Sequence, residues 1–184
     1  MTPYSVEWLS GPALVESGWI DAILALEREN LAPLLAATGQ SFPEARRRAG
    51  LSTADAAVVL LLRDGVLVGC IDFVRDWNDP ADLYVASVQL KAAARGGPAL
   101  GILLAGAFEA VARMAWRRLT ANVHPSNHPA LRLAGRLGFR RTAAPGRSSV
   151  GLALDREALL ASPFAALAAT LAARHHLGES RSGG

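Results

Sequence analysis

Two stretches of the sequence combine residue types that could bind a ligand and support a reaction. Arg95-Gly96-Gly97-Pro98-Ala99-Leu100-Gly101 stands between an apolar run ending at Leu90 and a helical pattern. Glycine lets the backbone come close to a ligand, the first helical turn has unpaired N–H groups, and its dipole favours an anion. Arg95 adds a positive charge. The segment reads as a cradle for pyrophosphate, and equally as a purely structural turn. It is not a P-loop, since no Gly-Lys-Ser/Thr follows. The second stretch, Asn127 to Phe139, opens with a capping-type residue, continues as a short helix and ends in Leu-Gly-Phe.

The elements that position them follow from periodicity. Tyr4 to Leu9 is a first strand, broken by Gly11-Pro12. Helical spacing runs from Pro12 to Leu35, with an interruption expected before Pro33, and Ser41 to Leu51 is a short Arg-rich helix. Ala56 to Leu62 and Val66 to Val74 flank Asp64-Gly65, a hairpin signal because both turn residues must accept positive φ. Asp76 to Pro80 is a loop and Leu83 to Leu90 a fourth strand. A helix over Pro98 to Trp116 leads to a fifth strand, Leu119 to Val123. This strand-helix-strand unit reads as a crossover. A helix from Pro129 to Leu137, a strand from Ser149 to Leu154 and an Ala-rich helix from Leu159 to His175 complete the pattern. The fold class is mixed α/β (α+β). We expect one domain over residues 1–176 and a frayed tail over 177–184.

Composition narrows the function classes. The 184 residues are 51% hydrophobic and carry a net charge of +3, which gives no strongly basic nucleic-acid footprint. The run Arg46-Arg47-Arg48 reads as a solvated helix face. Cys70 is the only cysteine; an intrachain disulfide is excluded, and the thiol reads as buried and structural. No apolar run reaches the roughly 18 residues of a membrane span, and Met1 to Ser10 has no signal-peptide pattern. The expected location is cytoplasmic. No metal ligands are indicated, because His175-His176 is an isolated pair. The apolar segment Leu159 to Ala173 calls for burial, against a partner subunit in a homodimer or against its own domain.

The second stretch resembles the GNAT (general N-acetyltransferase) superfamily. Asn127, Ala130, Leu137, Gly138 and Phe139 match, in number and spacing, the family's helix after the fifth strand. The segment from Arg95 is similar to its pyrophosphate arm, Gln/Arg-x-x-Gly-x-Gly/Ala. Two registers are open: Arg95 in the first position, with Pro98 and Leu100 at the small-residue positions, or one residue earlier, with Ala94, Gly97 and Ala99. The resemblance covers about Ala56 to Leu154. It departs at Ala134, where the family often has Tyr, and at Ala92, where many members have Pro.

The resemblance implies a mixed central sheet flanked by helices and splayed between strands 4 and 5, with acyl-CoA in the cleft. It implies an acyl-CoA-dependent N-acyltransferase that moves acetyl from acetyl-CoA to an amine. A GNAT-like domain that binds CoA without catalysis, and a hydroxyl acceptor, are the alternatives. Expected cofactor contacts are Leu90, Arg95, Gly96, Gly97, Pro98, Ala99, Leu100, Gly101, Asn127 and Ala130. Backbone N–H groups around Leu90 suit the thioester carbonyl. Tyr84 and His124 are the side-chain candidates for proton transfer, both expected near the cleft end of strands 4 and 5, with Ser126 beside His124. Asp72, Asp76, Asp79 and Asp82 read as a solvated cluster that could attract a cationic acceptor; Glu27 and Glu29 read as exposed, in the region where family members bind acceptors.

Overall fold

The computed structural model describes residues 4–142 and 149–175. Their core is a seven-stranded sheet in the order β1-β2-β3-β4-β5-β7-β6. The strands are β1 (Tyr4–Ser10), β2 (Ala57–Arg63), β3 (Val66–Arg75), β4 (Leu83–Leu90), β5 (Arg118–Val123), β6 (Arg140–Thr142) and β7 (Val150–Asp155). The β4–β5 pair is parallel and every other pair is antiparallel. β2 and β3 meet at Asp64-Gly65, both at positive φ (55° and 73°), as the Asp-Gly signal requires.

Among the described residues, seven α-helices cover the sheet: α1 (Gly11–Glu16), α2 (Trp19–Ala36), α3 (Glu44–Leu51), α4 (Ala99–Ala112), α5 (His128–Leu137), α6 (Arg156–Leu160) and α7 (Pro163–His175). β2 is buried on both faces because its alternating side chains serve two cores. Val58, Leu60 and Leu62 pack with α1 and α2, whereas Val59 and Leu61 pack with α4. α4 lies close on the sheet: a Cβ added at Gly106 would come 2.5 Å from Val6 Cγ1. Burying these aliphatic side chains is the main stabilising term, about 1.5–3 kcal/mol for each fully covered one.

Several sequence-based boundaries shift. The expected helix from Pro12 to Leu35 breaks at Ser17 and Gly18, where Gly18 is left-handed (φ 76°) and the Ser17 hydroxyl donates to Leu14 C=O. Pro33 stays inside α2, in its last turn, where a missing N–H costs one bond. The helix expected to reach Trp116 ends at Ala112, and the Trp116 indole donates to Val111 C=O. The Leu159–His175 helix breaks at Ser162, whose hydroxyl caps Leu159 C=O before Pro163. α7 packs on its own domain: Ala168 is fully buried, Leu171 approaches Gly101 and Phe164 meets Phe108 edge-on. β6 was not foreseen, because Arg140-Arg141-Thr142 is polar and exposed. The expected tail over 177–184 lies outside the described residues.

Candidate active site

The site begins with a defect in the sheet. On β4, Ser87 pairs with Asp72 but Val85 pairs with Phe73, leaving Ala86 as the extra residue of a β-bulge. β4 and β5 are joined at only two register pairs, Leu83–Leu119 and Tyr84–Thr120. Beyond them the strands diverge. Lys91 N–H bonds back to Val68 C=O on β3, so by antiparallel alternation the N–H groups of Leu90 and Val88 face away from β3, into the gap. The gap opens into a cleft of about 710 Å³ that runs from Asn30 and Leu34 on α2 to α4 and α5.

The N-terminus of α4 stands at the mouth. Gly96 is left-handed (φ 78°), and a Cβ added at Gly96 or Gly97 would meet nothing within 4 Å. The turn is therefore open to a ligand on its outer side. The first intrahelical donor is Ile102 N–H, to Pro98 C=O, so the N–H groups of Ala99, Leu100 and Gly101 are the free donors of the first turn. Pro98, expected as the first helical residue, is the N-cap and has no N–H. Ala99 is fully buried, N–H included, whereas Gly101 faces Leu171 and can offer only its backbone. Arg95 does not point at this turn. Its guanidinium donates to Asn30 Oδ1 (2.5 Å) and Leu90 C=O (3.2 Å), across the cleft mouth.

On the opposite wall, Asn127 caps α5 by accepting from Ala130 N–H at 3.2 Å, which leaves its NH₂ group for a ligand. Asn127, Ala130 and Ala134 all line the cleft. Ser126 lines it too, and its hydroxyl lies 2.6 Å from Nδ1 of the exposed His124. Tyr84 is elsewhere. It sits at the closed end of the β4–β5 ladder, outside the cleft lining, with its ring 4.8 Å from that of Trp77. The expected position at the cleft end is thus corrected: strand alternation turns Tyr84 to the opposite face from Val85, and burial raises its pKa against a hydrogen bond with Asn122.

A model of the Acetyltransferase (GNAT) family matches residues 23–139. The chain belongs to the GNAT family. No curated protein matches it significantly. Among solved structures it is similar to an acetyltransferase from Thermus thermophilus, with 16% identity, a TM-score of 0.63 and coverage of 84% of this chain and 99% of the other. It is also similar to yncA from Salmonella typhimurium, solved with its cofactor acetyl-CoA: 18% identity, TM-score 0.62, coverage 87% and 96%. A third is the diaminobutyrate acetyltransferase EctA from Paenibacillus lautus in complex with L-2,4-diaminobutyric acid and coenzyme A: 16% identity, TM-score 0.55, coverage 84% and 96%. These likenesses establish the GNAT fold.

Behind the cleft this GNAT protein carries a polar network that departs from the sequence-based expectation. Glu27 and Asp72, expected to be solvated, are 0% and 1% exposed. Arg47 turns inward from the Arg run and bridges them: Nε and Nη2 reach Glu27 at 2.9 and 2.5 Å, and Nη2 reaches Asp72 at 2.8 Å. Arg46 and Arg48 are exposed, as expected of the run. Ser87, the register partner of Asp72, accepts from Gln89, Gln89 from Asn30, and Asn30 from Arg95. A chain of side chains thus runs from the cleft mouth to Ser87, which lies opposite Asp72 in the β3–β4 ladder. Asp76 and Asp82 are buried as well: Asp76 holds Thr120, and Asp82 is clamped by Arg117 and Arg118, which lower its pKa although burial raises it. Asp79 pairs with Arg117. One signal was available: Glu27 falls on the stripe Ile20, Ile23, Leu24 at helical spacing, and so points into the core.

Burial holds the Asp72 carboxyl up at about 6, against the attraction of Arg47. Its ordinary value is 3.8, so the folded protein takes up a proton between the two. Ionised Asp72 therefore weakens the fold above pH 6, and this cost fades as the pH falls towards 4. Asp72→Asn should flatten the pH dependence of Tm between pH 4 and 7. Parallel melting curves for both proteins across that range would refute the assignment. Cys70, fully buried beside this group, has its thiol pKa raised by burial, in keeping with a structural thiol.

Proposed function

We propose that this GNAT protein is an acyl-CoA-dependent N-acyltransferase that transfers acetyl from acetyl-CoA to an amine by direct attack on the thioester. One observation carries the reading: a gap with unpaired β4 backbone and an open first helical turn meet on the same cleft. The structures of relatives bound to acetyl-CoA, or to CoA with an amino acid, support it.

Acetyl-CoA would supply the activated acyl group. Gly96, Gly97 and the N–H groups of Leu100 and Gly101 suit the pyrophosphate, because backbone donors at a helix N-terminus favour an anion. Arg95 adds positive charge at the mouth. The NH₂ group of Asn127 and the small side chain of Ala130 suit the pantetheine arm. The N–H of Leu90 suits the carbonyl oxygen, where negative charge develops during attack. His124, acting through the Ser126 hydroxyl, is assigned the proton transfer, because this pair reaches the cleft and Tyr84 does not. Ala134 favours one other reading, a CoA-binding domain without turnover, since it lacks the hydroxyl many relatives place there.

The decisive measurement is thiol release from acetyl-CoA with a mixed amine panel, with mass detection of the acylated product. Release without an acylated amine, or none at all, would defeat the enzymatic reading. General acid–base help is typically worth about 10² to 10⁴ in rate. His124→Ala should therefore lower kcat at least about tenfold with an unchanged KM for acetyl-CoA. Ala134→Tyr should raise kcat by restoring a hydroxyl on the α5 wall. An unchanged kcat in the first variant would remove His124 from the mechanism.

A further inference from the structure

The cleft is larger and more apolar than the proposed contacts use. Its polar lining residues are Asn30, Gln89, Arg95, Ser126 and Asn127, of which Arg95 and Asn30 span the mouth and Gln89 lies behind them. Every other lining side chain is aliphatic or aromatic. The depth is set by α4, whose Leu104, Ala107 and Val111 follow one another down one face, and by the closed ladder pair at Leu119. Three alanines, Ala107 on α4, Ala121 on β5 and Ala134 on α5, line it with short side chains that leave room between the elements. Leaving such an apolar wall open to water forgoes about 25 cal/mol of stabilisation per Å². Water gains little there for want of polar partners. A cavity that is polar at its rim and apolar at its depth suits an amphipathic ligand whose hydrocarbon end enters first.

We propose that this depth is an acyl-chain pocket, so that besides acetyl-CoA the site takes, and binds more tightly, CoA thioesters with a linear medium-length chain. The inference rests on the acyltransferase reading above and extends it. With the thioester carbonyl at the Leu90 N–H, the wall from Val88 down to Val85 offers roughly 10 Å at ~3.3 Å per residue. An extended chain gains roughly 1.3 Å per methylene from its ~1.5 Å bonds, so about six to eight carbons fill that length. The Ala134 side chain, short where many relatives have a tyrosine, then leaves room for the chain.

Calorimetry on the full chain with CoA, acetyl-, butyryl-, hexanoyl- and octanoyl-CoA tests this, with free octanoate as a separate arm. Burial of each methylene should tighten binding about fourfold, so hexanoyl-CoA should bind at least thirtyfold more tightly than acetyl-CoA. Ala107→Phe should abolish that gain and leave acetyl-CoA affinity within about threefold. Should that variant fail to fold, Ala134→Tyr, filling the pocket from the other wall, must abolish it instead. Equal affinities for acetyl- and hexanoyl-CoA, or a gain that survives the filled pocket, would overturn the inference and leave the acetyltransferase reading standing. Octanoate bound as tightly as octanoyl-CoA would overturn it in favour of a free lipid acid. Failure of every CoA species to bind would overturn the acyltransferase reading and this inference with it.

Discussion

Gly97→Glu should weaken acetyl-CoA binding at least tenfold without lowering Tm. The position tolerates a side chain, since a Cβ there meets nothing within 4 Å and its φ is not in the left-handed region. What changes is charge. A carboxylate about 4 Å from a phosphate oxygen would be repelled by about 4 kcal/mol at an effective dielectric near 20, a factor of about a thousand. Salt screening reduces this, so tenfold is the lower bound at ordinary ionic strength. Calorimetry at low and at 0.5 M salt separates the causes: a charge effect shrinks with salt, whereas a steric block does not. Equal affinity in native and variant protein at low salt would remove the Gly96–Gly97 turn from the pyrophosphate site. Gly97→Ala, which adds volume and no charge, should bind nearly as the native protein does.

Arg47→Ala should cost about 3–5 kcal/mol of stability, because it strips the cation from two buried carboxylates. Glu27 and Asp72 are both buried, and in the native protein Arg47 is the cation that bridges them. In a chain of this size each kcal/mol moves Tm by about 2–4 °C, so a fall of roughly 10 °C is expected at pH 8. The loss should shrink at pH 5. Protonation removes the uncompensated charge, and Asp72 already has a raised pKa of about 6 with Arg47 present. Neutralising all three, as Arg47→Met with Glu27→Gln and Asp72→Asn, should recover most of the stability, since a buried ion cluster seldom outperforms well-packed neutral groups. Thermal unfolding at both pH values provides the check. A change in Tm of less than about 3 °C in Arg47→Ala at pH 8 would mean that water reaches the carboxylates.

Local signals carried most of the architecture. Asp64-Gly65 dictated a tight hairpin because few dipeptides accept positive φ twice. Asn127 and Gly138 marked the two ends of α5 through their capping geometry. The segment from Arg95 to Gly101 did prove to be a strand-to-helix turn at a cleft. Each of these depends on residues near one another in the chain, which is why sequence alone determined them.

The remainder depends on which distant residues meet. The sequence names four aspartates before β4 and three arginines in α3, but not that Arg47 alone turns inward, nor that Asp72 faces the core from β3 while Asp79 stays outside. Those partners are 20 to 38 residues apart, and their pairing follows from how α3 settles on α2 and the sheet. Tyr84 and Val85 are neighbours in sequence, yet one faces the cleft and the other does not, because the bulge at Ala86 and the ladder to β5 fix the register. Arg95 likewise reads as a phosphate ligand in one dimension and is a hydrogen-bonded strap to Asn30 in three. The sequence by itself determined most of the elements and the family. Only tertiary packing decided which charged groups lost water, and desolvation is what sets both the Asp72 pKa and the apolar depth of the cleft.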